Sequence, residues 1–130
     1  MKIFSLLLLI YLNTGFSQNL VFFGKQDTIT FQENDLIKLS FVEHALVYGD
    51  NKPYLVALLV LTDEQKNLKK EEIDKEINKI NNYLSNIERI KKYFVINEKF
   101  SIENGMLTPT LKLKRYKIIK KYQNQFEKLY

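Results

Sequence analysis

Two apolar segments joined by a turn decide the fold: FVEHALVY at 41–48, GDNKP at 49–53 and YLVALLVL at 54–61. The apolar segments carry β-branched and aromatic residues, and the residues between them favour turns, so the sequence predicts a β-hairpin. The second segment is apolar almost without interruption, which is typical of a strand buried on both faces. Because such a strand needs cover on both sides, we expect helices or another layer to pack on the sheet.

A long amphipathic helix is predicted after the hairpin. Its apolar residues recur at spacings of three and four, with Lys, Glu, Asp and Asn between them. These apolar residues are Ile73, Ile77, Ile80, Leu84, Ile87 and Ile90. The pattern barely reaches three heptads, so we favour a helix that packs on the sheet over a coiled coil.

Shorter elements complete the predicted fold. We expect a short helix at 34–40, a short strand at 93–96 and a loop at Asn104-Gly105. A last helix is predicted to hold Tyr116, Ile119, Tyr122, Phe126 and Leu129. The predicted fold class is α+β: a small sheet with a β-hairpin, covered by the long amphipathic helix and a C-terminal helix.

The composition excludes several kinds of site. The chain has 130 residues, 45% of them hydrophobic, which suits one globular core. It has no Cys and one His, so disulfides and Cys-based zinc sites are excluded, and we expect no metal site. With no Cys and one His, the chain offers few residues for a Cys-His or Ser-His nucleophile system. We interpret His44 as a structural or surface residue. A net charge of +5 suits nucleotides, phosphates, acidic proteins or anionic lipid and names no partner.

The first residues resemble a secretory signal. Met1-Lys2 is a basic start, residues 3–12 are a short apolar run, and small residues lie near a possible cleavage after Ser17. The apolar run is shorter than the about 20 residues that span a membrane. The stretch predicts either export or an accidental start on a truncated or frame-shifted gene.

The candidate site lies in the sequence ENGMLTPTLKLKR, where three cations follow a loop. Gly105 allows a tight backbone, and Pro109 stiffens the approach. Thr108 and Thr110 supply hydroxyls, so that Lys112 at the loop's exit can be held in one place. A held ammonium stabilises the charge that develops when an acyl carboxylate attacks the α-phosphate of ATP. From the residues alone, we favour a basic helix start that is merely solvated, because the charges of Lys-rich helices usually only hold the surface in water.

The run LTPTLKLKR at 107–115 resembles the closing motif of long-chain fatty acid CoA ligases, members of the AMP-forming adenylating superfamily. The turn YGDNKPYL at 48–55 is similar to the same family, as is the spacing from hairpin through helix to motif. The resemblance implies two segments: a signal-like or non-homologous stretch at 1–23 and a C-terminal lid domain at 24–130.

The resemblance also implies a two-step ligase. A fatty acid and ATP form an acyl-adenylate and pyrophosphate, and the CoA thiol then displaces AMP to give acyl-CoA. The lid swings between the steps, and its motif lysine, which falls on Lys112, is the catalytic candidate. Leu111 stands where the wider superfamily commonly has Gly, a difference that suits the long-chain branch. Six further residues are implied to hold the loop, steer phosphates or dock the lid: Gly105, Thr108, Pro109, Thr110, Lys114 and Arg115.

Nothing in this chain resembles the phosphate loop, adenine-binding segment or acyl pocket of the family's large N-terminal domain. We therefore expect the chain to be inactive alone. It would need that domain, separately encoded or lost, before ATP, CoA and Mg could take part. The expected location is cytoplasmic or membrane-peripheral, with export possible from residues 1–17.

Two other functions stay open at this point. The cations of the C-terminal helix suit a small basic protein that binds anionic membrane or nucleic acid. Nucleic acid is the less favoured partner, because the helix's apolar residues fit core packing and no RNA-binding or helix-turn-helix motif is evident. The chain could also be an inactive remnant of a split gene.

Overall fold

The computed structural model describes residues 29–130 of the chain. The sheet and the candidate site both belong to one compact unit at residues 33–130. The signal-like stretch at 1–17 falls outside the described residues. No helix in the described part of the chain is long and apolar enough to cross a membrane.

The described residues form a mixed α+β arrangement, which confirms the predicted fold class. In chain order the elements are α1 at 29–37, β1 at Val42–Tyr48, β2 at Leu55–Leu61, α2 at Lys70–Asn81, β3 at Ile90–Ile96, α3 at Arg115–Lys121 and α4 at Gln123–Glu127. The helix predicted at 34–40 ends earlier than expected. Its last residues form a turn instead, because the amide of Leu39 donates to the carbonyl of Leu36 at 3.1 Å.

The sheet has the strand order β1-β2-β3, with β2 at its centre. β1 and β2 pair antiparallel, from Val42 opposite Leu61 to Tyr48 opposite Val56, which confirms the predicted hairpin. β3 pairs with the other edge of β2 in parallel, and α2 lies in the connection that such a pairing requires. All seven residues of β2 are buried, in agreement with its unbroken apolar sequence.

The hairpin turn depends on Gly49. A Cβ added there would lie 2.3 Å from Cδ2 of Leu55, so a larger residue would push the turn away from the strand. Asn51 has a φ of 57°, a left-handed conformation that Asn adopts more readily than most residues. The amide of Lys52 donates to the carbonyl of Gly49 at 3.2 Å and closes the turn.

The C-terminal segment covers one face of the sheet. A single buried cluster joins it to the strands: Leu46, Val56, Leu58, Val60, Phe100, Met106, Leu107, Ile118, Tyr122 and Phe126. The hydroxyl of Tyr54 donates to the carbonyl of Leu129 at 2.6 Å, and the hydroxyl of Tyr130 donates to the carbonyl of Tyr54 at 2.8 Å. The motif segment 107–115 is thus anchored before and after by core residues.

α2 lies over the opposite face. Its buried residues are Ile73 and Ile77. Tyr93, which pairs in register with Ala57, donates its hydroxyl to Asp74 of α2 at 2.7 Å. Because successive strand residues point to opposite faces, this places α2 on the side of the sheet away from the C-terminal cluster.

The helix predicted to run as far as Ile90 ends at Asn81, so that part of the prediction was wrong. The side-chain amide of Asn81 donates to the carbonyl of Ile90 and accepts from its N–H, both at 2.9 Å, where β3 begins. Ile87, expected on the core-facing stripe, is 83% exposed in the intervening loop. The helical spacing reaches Ile90 by coincidence, because Ile90 is a strand residue that pairs beside Leu55.

The predicted C-terminal helix is divided in two. α3 ends and α4 begins at Tyr122, whose φ of −104° and ψ of 19° depart from helical values. Tyr116, expected among the helix's packing residues, is 77% exposed, and Ile118 is fully buried instead. The break lets Ile118, Tyr122 and Phe126 all reach the core cluster.

Candidate functional site

The motif residues form a tight hairpin loop. Leu107 and Leu113 face each other in an antiparallel bridge. The amide of Thr108 donates to the carbonyl of Lys112, and the amide of Leu111 donates to the carbonyl of Thr108, both at 2.8 Å. The loop between Thr108 and Lys112 is therefore three residues long, a length at which hairpins commonly combine a turn with a left-handed bulge residue.

Hydroxyl groups fasten the loop further. Oγ1 of Thr108 accepts from the amide of Lys112 at 3.0 Å and is hydrogen bonded to Oγ1 of Thr110 at 3.0 Å. Pro109 fixes its own φ at the start of the turn. The structure therefore brings together the three residues predicted to hold the loop. That the loop serves catalysis stays a prediction.

Lys112 leaves the loop with an exposed side chain. Its N–H and C=O are both bonded to Thr108, so its freedom is confined to the side chain. Within residues 29–130, nothing accepts a hydrogen bond from the Lys112 ammonium and no carboxylate pairs with it. A cation held at its base and unpaired at its tip can meet an anion without first breaking an internal ion pair.

Arg115 is turned into the domain. Its guanidinium pairs with the carboxylate of Glu33 and donates to the carbonyl of Val47 at 2.6 Å. The same carboxylate accepts from the amide of Val47 at 2.7 Å. This network ties the start of α3 to β1. A phosphate-side role for Arg115 stays a prediction, and a phosphate would have to compete with Glu33 for the guanidinium.

Gly105 lies in a second tight loop that precedes the motif. Its φ of 79° is in the left-handed region that favours glycine, so the tight backbone predicted at this position is present. Oδ1 of Asn104 accepts from the amides of Ser101 at 3.0 Å and Met106 at 3.1 Å. A Cβ added at Gly105 would lie 2.9 Å from Nζ of Lys117, so that side chain runs along the loop.

The motif and the helices after it carry cations without internal partners. Lys114, half-buried, is the residue before α3. In the part of the chain that the structure describes, the ammonium groups of five lysines have no acceptor: Lys112, Lys114, Lys117, Lys120 and Lys128. Lys121 differs, because its ammonium lies 2.7 Å from Glu98. A hydrogen bond from Lys121, and to a lesser extent one from Tyr122, lowers the pKa of Glu98. Of the unpaired lysines, the three in the motif and at the start of α3, Lys112, Lys114 and Lys117, suit an anionic ligand.

Residues 22–130 match the protein family described as AMP-binding enzyme C-terminal domain. The chain belongs to this family. Long-chain-fatty-acid–CoA ligase 5 of Rattus norvegicus is 53% identical over 47 residues, which are 36% of this chain and 7% of that protein. A long-chain-fatty-acid–CoA ligase of Mycobacterium tuberculosis is 28% identical over 128 residues, covering 82% of this chain and 21% of that protein. The resemblance to long-chain fatty acid CoA ligases is confirmed.

A solved structure shares the fold of this C-terminal domain. The A-PCP didomain of carboxylic acid reductase from Segniliparus rugosus, in complex with AMP, matches with a TM-score of 0.71 and 26% identity. The match covers 78% of this chain and 16% of that one. Since the chain spans 7% and 21% of the two ligases, the activity of a whole ligase comes to it only as a proposal.

Sequence reasoning missed two features of the C-terminal domain. Glu33 lies 82 positions before Arg115, and no local pattern connects the two. The second feature is the backbone of Leu111, whose φ is 66°. The loop length accounts for it, because a three-residue loop between paired residues commonly places its last member in the left-handed region, but the pairing itself was not predicted.

Proposed function

We propose that this C-terminal domain, at residues 24–130, is the lid of a long-chain acyl-CoA synthetase and that Lys112 is its catalytic residue. The lid would assist the ATP-dependent activation of a fatty acid to an acyl-adenylate and then to acyl-CoA. The observation that carries the proposal is the state of Lys112: both backbone polar groups bonded to Thr108, and an ammonium with no partner within residues 29–130. The related ligases supply the substrate class.

In the first step, a carboxylate oxygen of the fatty acid bonds to the α-phosphorus of ATP while the bond from that phosphorus to pyrophosphate breaks. The Lys112 ammonium would face the negative charge spread over the phosphoryl oxygens. It keeps its proton throughout, so the residue acts by electrostatics and not by proton transfer. The bonds from Thr108 contribute positioning, which matters because a small misplacement of a catalytic group is costly.

The remaining parts of the site belong to the large synthetase domain. Among residues 29–130, no three His, Cys, Asp or Glu side chains lie close enough together to hold a metal. Lys114 and Lys117 fit the phosphate charge of ATP or CoA, since their ammonium groups have no acceptor among the described residues. The large domain is thus the proposed partner, and the lid alone is expected to be inactive.

A domain exchange tests the proposal. Residues 24–130 replace the lid of the Mycobacterium tuberculosis ligase, and acyl-CoA formation is measured from fatty acid, ATP and CoA. We expect activity above that of the lidless enzyme. Lys112→Ala is expected to lower the rate about 10²- to 10³-fold, the range for losing one preorganised charge-stabilising group.

Lys120→Ala is the matched control, because Lys120 is also an exposed lysine without an internal partner in the described residues. We expect it to leave the rate unchanged. An exchange protein that makes no acyl-CoA would refute the lid assignment. A fully active Lys112→Ala protein would refute the catalytic role alone.

A further inference from the structure

Leu111 combines an unfavourable backbone with an exposed apolar side chain. Its φ of 66° lies in the left-handed region, where the Cβ of an L-residue crowds the following carbonyl and glycine does not. Its side chain is 64% exposed. Neither property stabilises the domain as described. A non-glycine residue held in this conformation is a reason to look for a function.

The loop itself does not need a leucine. Its hydrogen bonds join the amides of Thr108, Leu111 and Lys112 to backbone and hydroxyl acceptors. Glycine at 111 would keep every one of these bonds and would relieve the backbone. The side chain also lies outside the buried core cluster. The presence of leucine therefore calls for a contact beyond residues 29–130.

The segments on either side of the motif expose other apolar groups. Ile102 is 45% exposed in the preceding loop, and Tyr116 is 77% exposed at the start of α3. The related ligases extend far beyond the length of this chain, which spans 7% of one and 21% of the other. A surface that meets a larger domain gains stability when such side chains leave water.

We infer that Leu111 is a positioning residue that inserts its side chain into an apolar recess of the large synthetase domain. This inference rests on the proposed function. Leu111 and Lys112 are consecutive, and both are held by Thr108, so seating one fixes the base of the other. The contact would hold the Lys112 ammonium over the reacting phosphate, where a displacement of about 1 Å costs about 100-fold in rate.

The test uses the domain-exchange protein with Leu111→Gly, Leu111→Ala and Leu111→Met. The adenylation step is followed by exchange of labelled pyrophosphate into ATP. Leu111→Gly is expected to lower kcat about 10- to 100-fold with little change in KM for ATP or fatty acid. Leu111→Ala should show a similar loss, and Leu111→Met, which keeps an apolar side chain of similar reach, should restore most of the rate.

Melting of the full 130-residue chain separates this role from a structural one. Leu111→Gly should melt at the same temperature as wild type or higher, because it relieves the backbone. Full kcat in Leu111→Gly would overturn the inference. A Leu111→Gly variant that loses activity and also melts at a lower temperature would overturn it too. Loss of activity in Lys112→Ala but not in Leu111→Gly leaves the proposed function standing without this contact.

If the wild-type exchange protein makes no product, the proposed function fails, and binding decides the contact. The probe is the full chain, labelled with a fluorophore and titrated with the lidless ligase. Affinity weakened about tenfold or more by Leu111→Gly supports the contact. Equal affinities for both, or no binding by either, overturn it.

Discussion

Lys112 and Arg115 lie three positions apart and have opposite surroundings. The guanidinium of Arg115 is shared between Glu33 and the carbonyl of Val47, whereas the ammonium of Lys112 has no acceptor within residues 29–130. The backbone explains the difference, because Lys112 leaves a hairpin loop and Arg115 starts a helix packed against β1. One basic motif thus contains a cation that holds the fold and a cation available to a ligand.

Arg115→Ala is expected to destabilise the domain. It removes the ion pair and leaves the partly buried carboxylate of Glu33 and carbonyl of Val47 short of a donor. Because the guanidinium is 35% exposed, we expect a loss of about 2 kcal/mol in the free energy of unfolding. Urea denaturation measures this loss of free energy, because urea is uncharged and does not screen the ion pair. Lys120→Ala should stay within about 0.5 kcal/mol of wild type, and equal losses in the two variants would contradict the network.

Gly105→Ala tests the loop that precedes the motif. A φ of 79° should cost alanine about 1–2 kcal/mol, while the contact with Nζ of Lys117 can relax because that side chain is flexible. Gly105→Asn should lose less, since Asn visits the left-handed region more readily. The free energies of unfolding of the two variants are compared. An alanine variant as stable as wild type would show that the loop relaxes.

At the scale of elements, the side chain of Asn81 joins the end of α2 to the start of β3. Asn81 makes two hydrogen bonds to the backbone of Ile90 and so ends the helix and starts the strand. Asn81→Ala is expected to cost about 1–2 kcal/mol in the free energy of unfolding. Asn78→Ala, an exposed change inside α2, should be neutral or slightly stabilising. No difference between the two variants in thermal or urea unfolding would contradict this role.

The contact between α3 and the loop that follows β3 makes the stability of the domain depend on pH. Hydrogen bonds from Lys121 and Tyr122 lower the pKa of Glu98 from its ordinary value of 4.5, so its ionised form stabilises the fold. That contribution is complete above the ordinary pKa and is lost as pH falls below it toward the folded pKa. Glu98→Gln should therefore be less stable at neutral pH and lose less stability than wild type on acidification.

Unfolding curves between about pH 7 and pH 3 measure this slope. Glu103→Gln is the control, since Glu103 is exposed on the neighbouring loop. It should keep the wild-type slope. If the stability of Glu98→Gln changes with pH as steeply as that of wild type, solvent screening cancels the contribution of the ion pair with Lys121.

For the whole molecule, local patterns predicted the sheet better than the helices. The hairpin and the buried β2 follow from turn residues and an unbroken apolar run, which are signals within 21 residues of chain. The end of α2 could not be read this way, because Ile90 fits the helical spacing and is placed by its pairing beside Leu55. The pairing of β3 with β2 therefore overrode the helical spacing of the apolar residues.

The candidate site was likewise predictable from the sequence only in part. A loop with Lys112 at its exit was predicted from the neighbouring residues Gly105, Thr108, Pro109 and Thr110. The ion pair between Glu33 and Arg115 joins residues 82 positions apart, which no spacing rule predicts. The left-handed backbone of Leu111 is a consequence of loop length and was visible only once the pairing of Leu107 with Leu113 was known.

Lys112 is a cation held by its backbone in the hairpin loop, and we propose that it serves the first half of a two-step reaction. The most direct measurement follows the two half-reactions of the domain-exchange protein separately: ATP–pyrophosphate exchange for adenylation, and acyl-CoA formation from supplied acyl-adenylate. We predict that Lys112→Ala slows the first about 10²- to 10³-fold and leaves the second near the wild-type rate. Equal rates in both half-reactions for wild type and Lys112→Ala, or equal losses in both, would contradict the account.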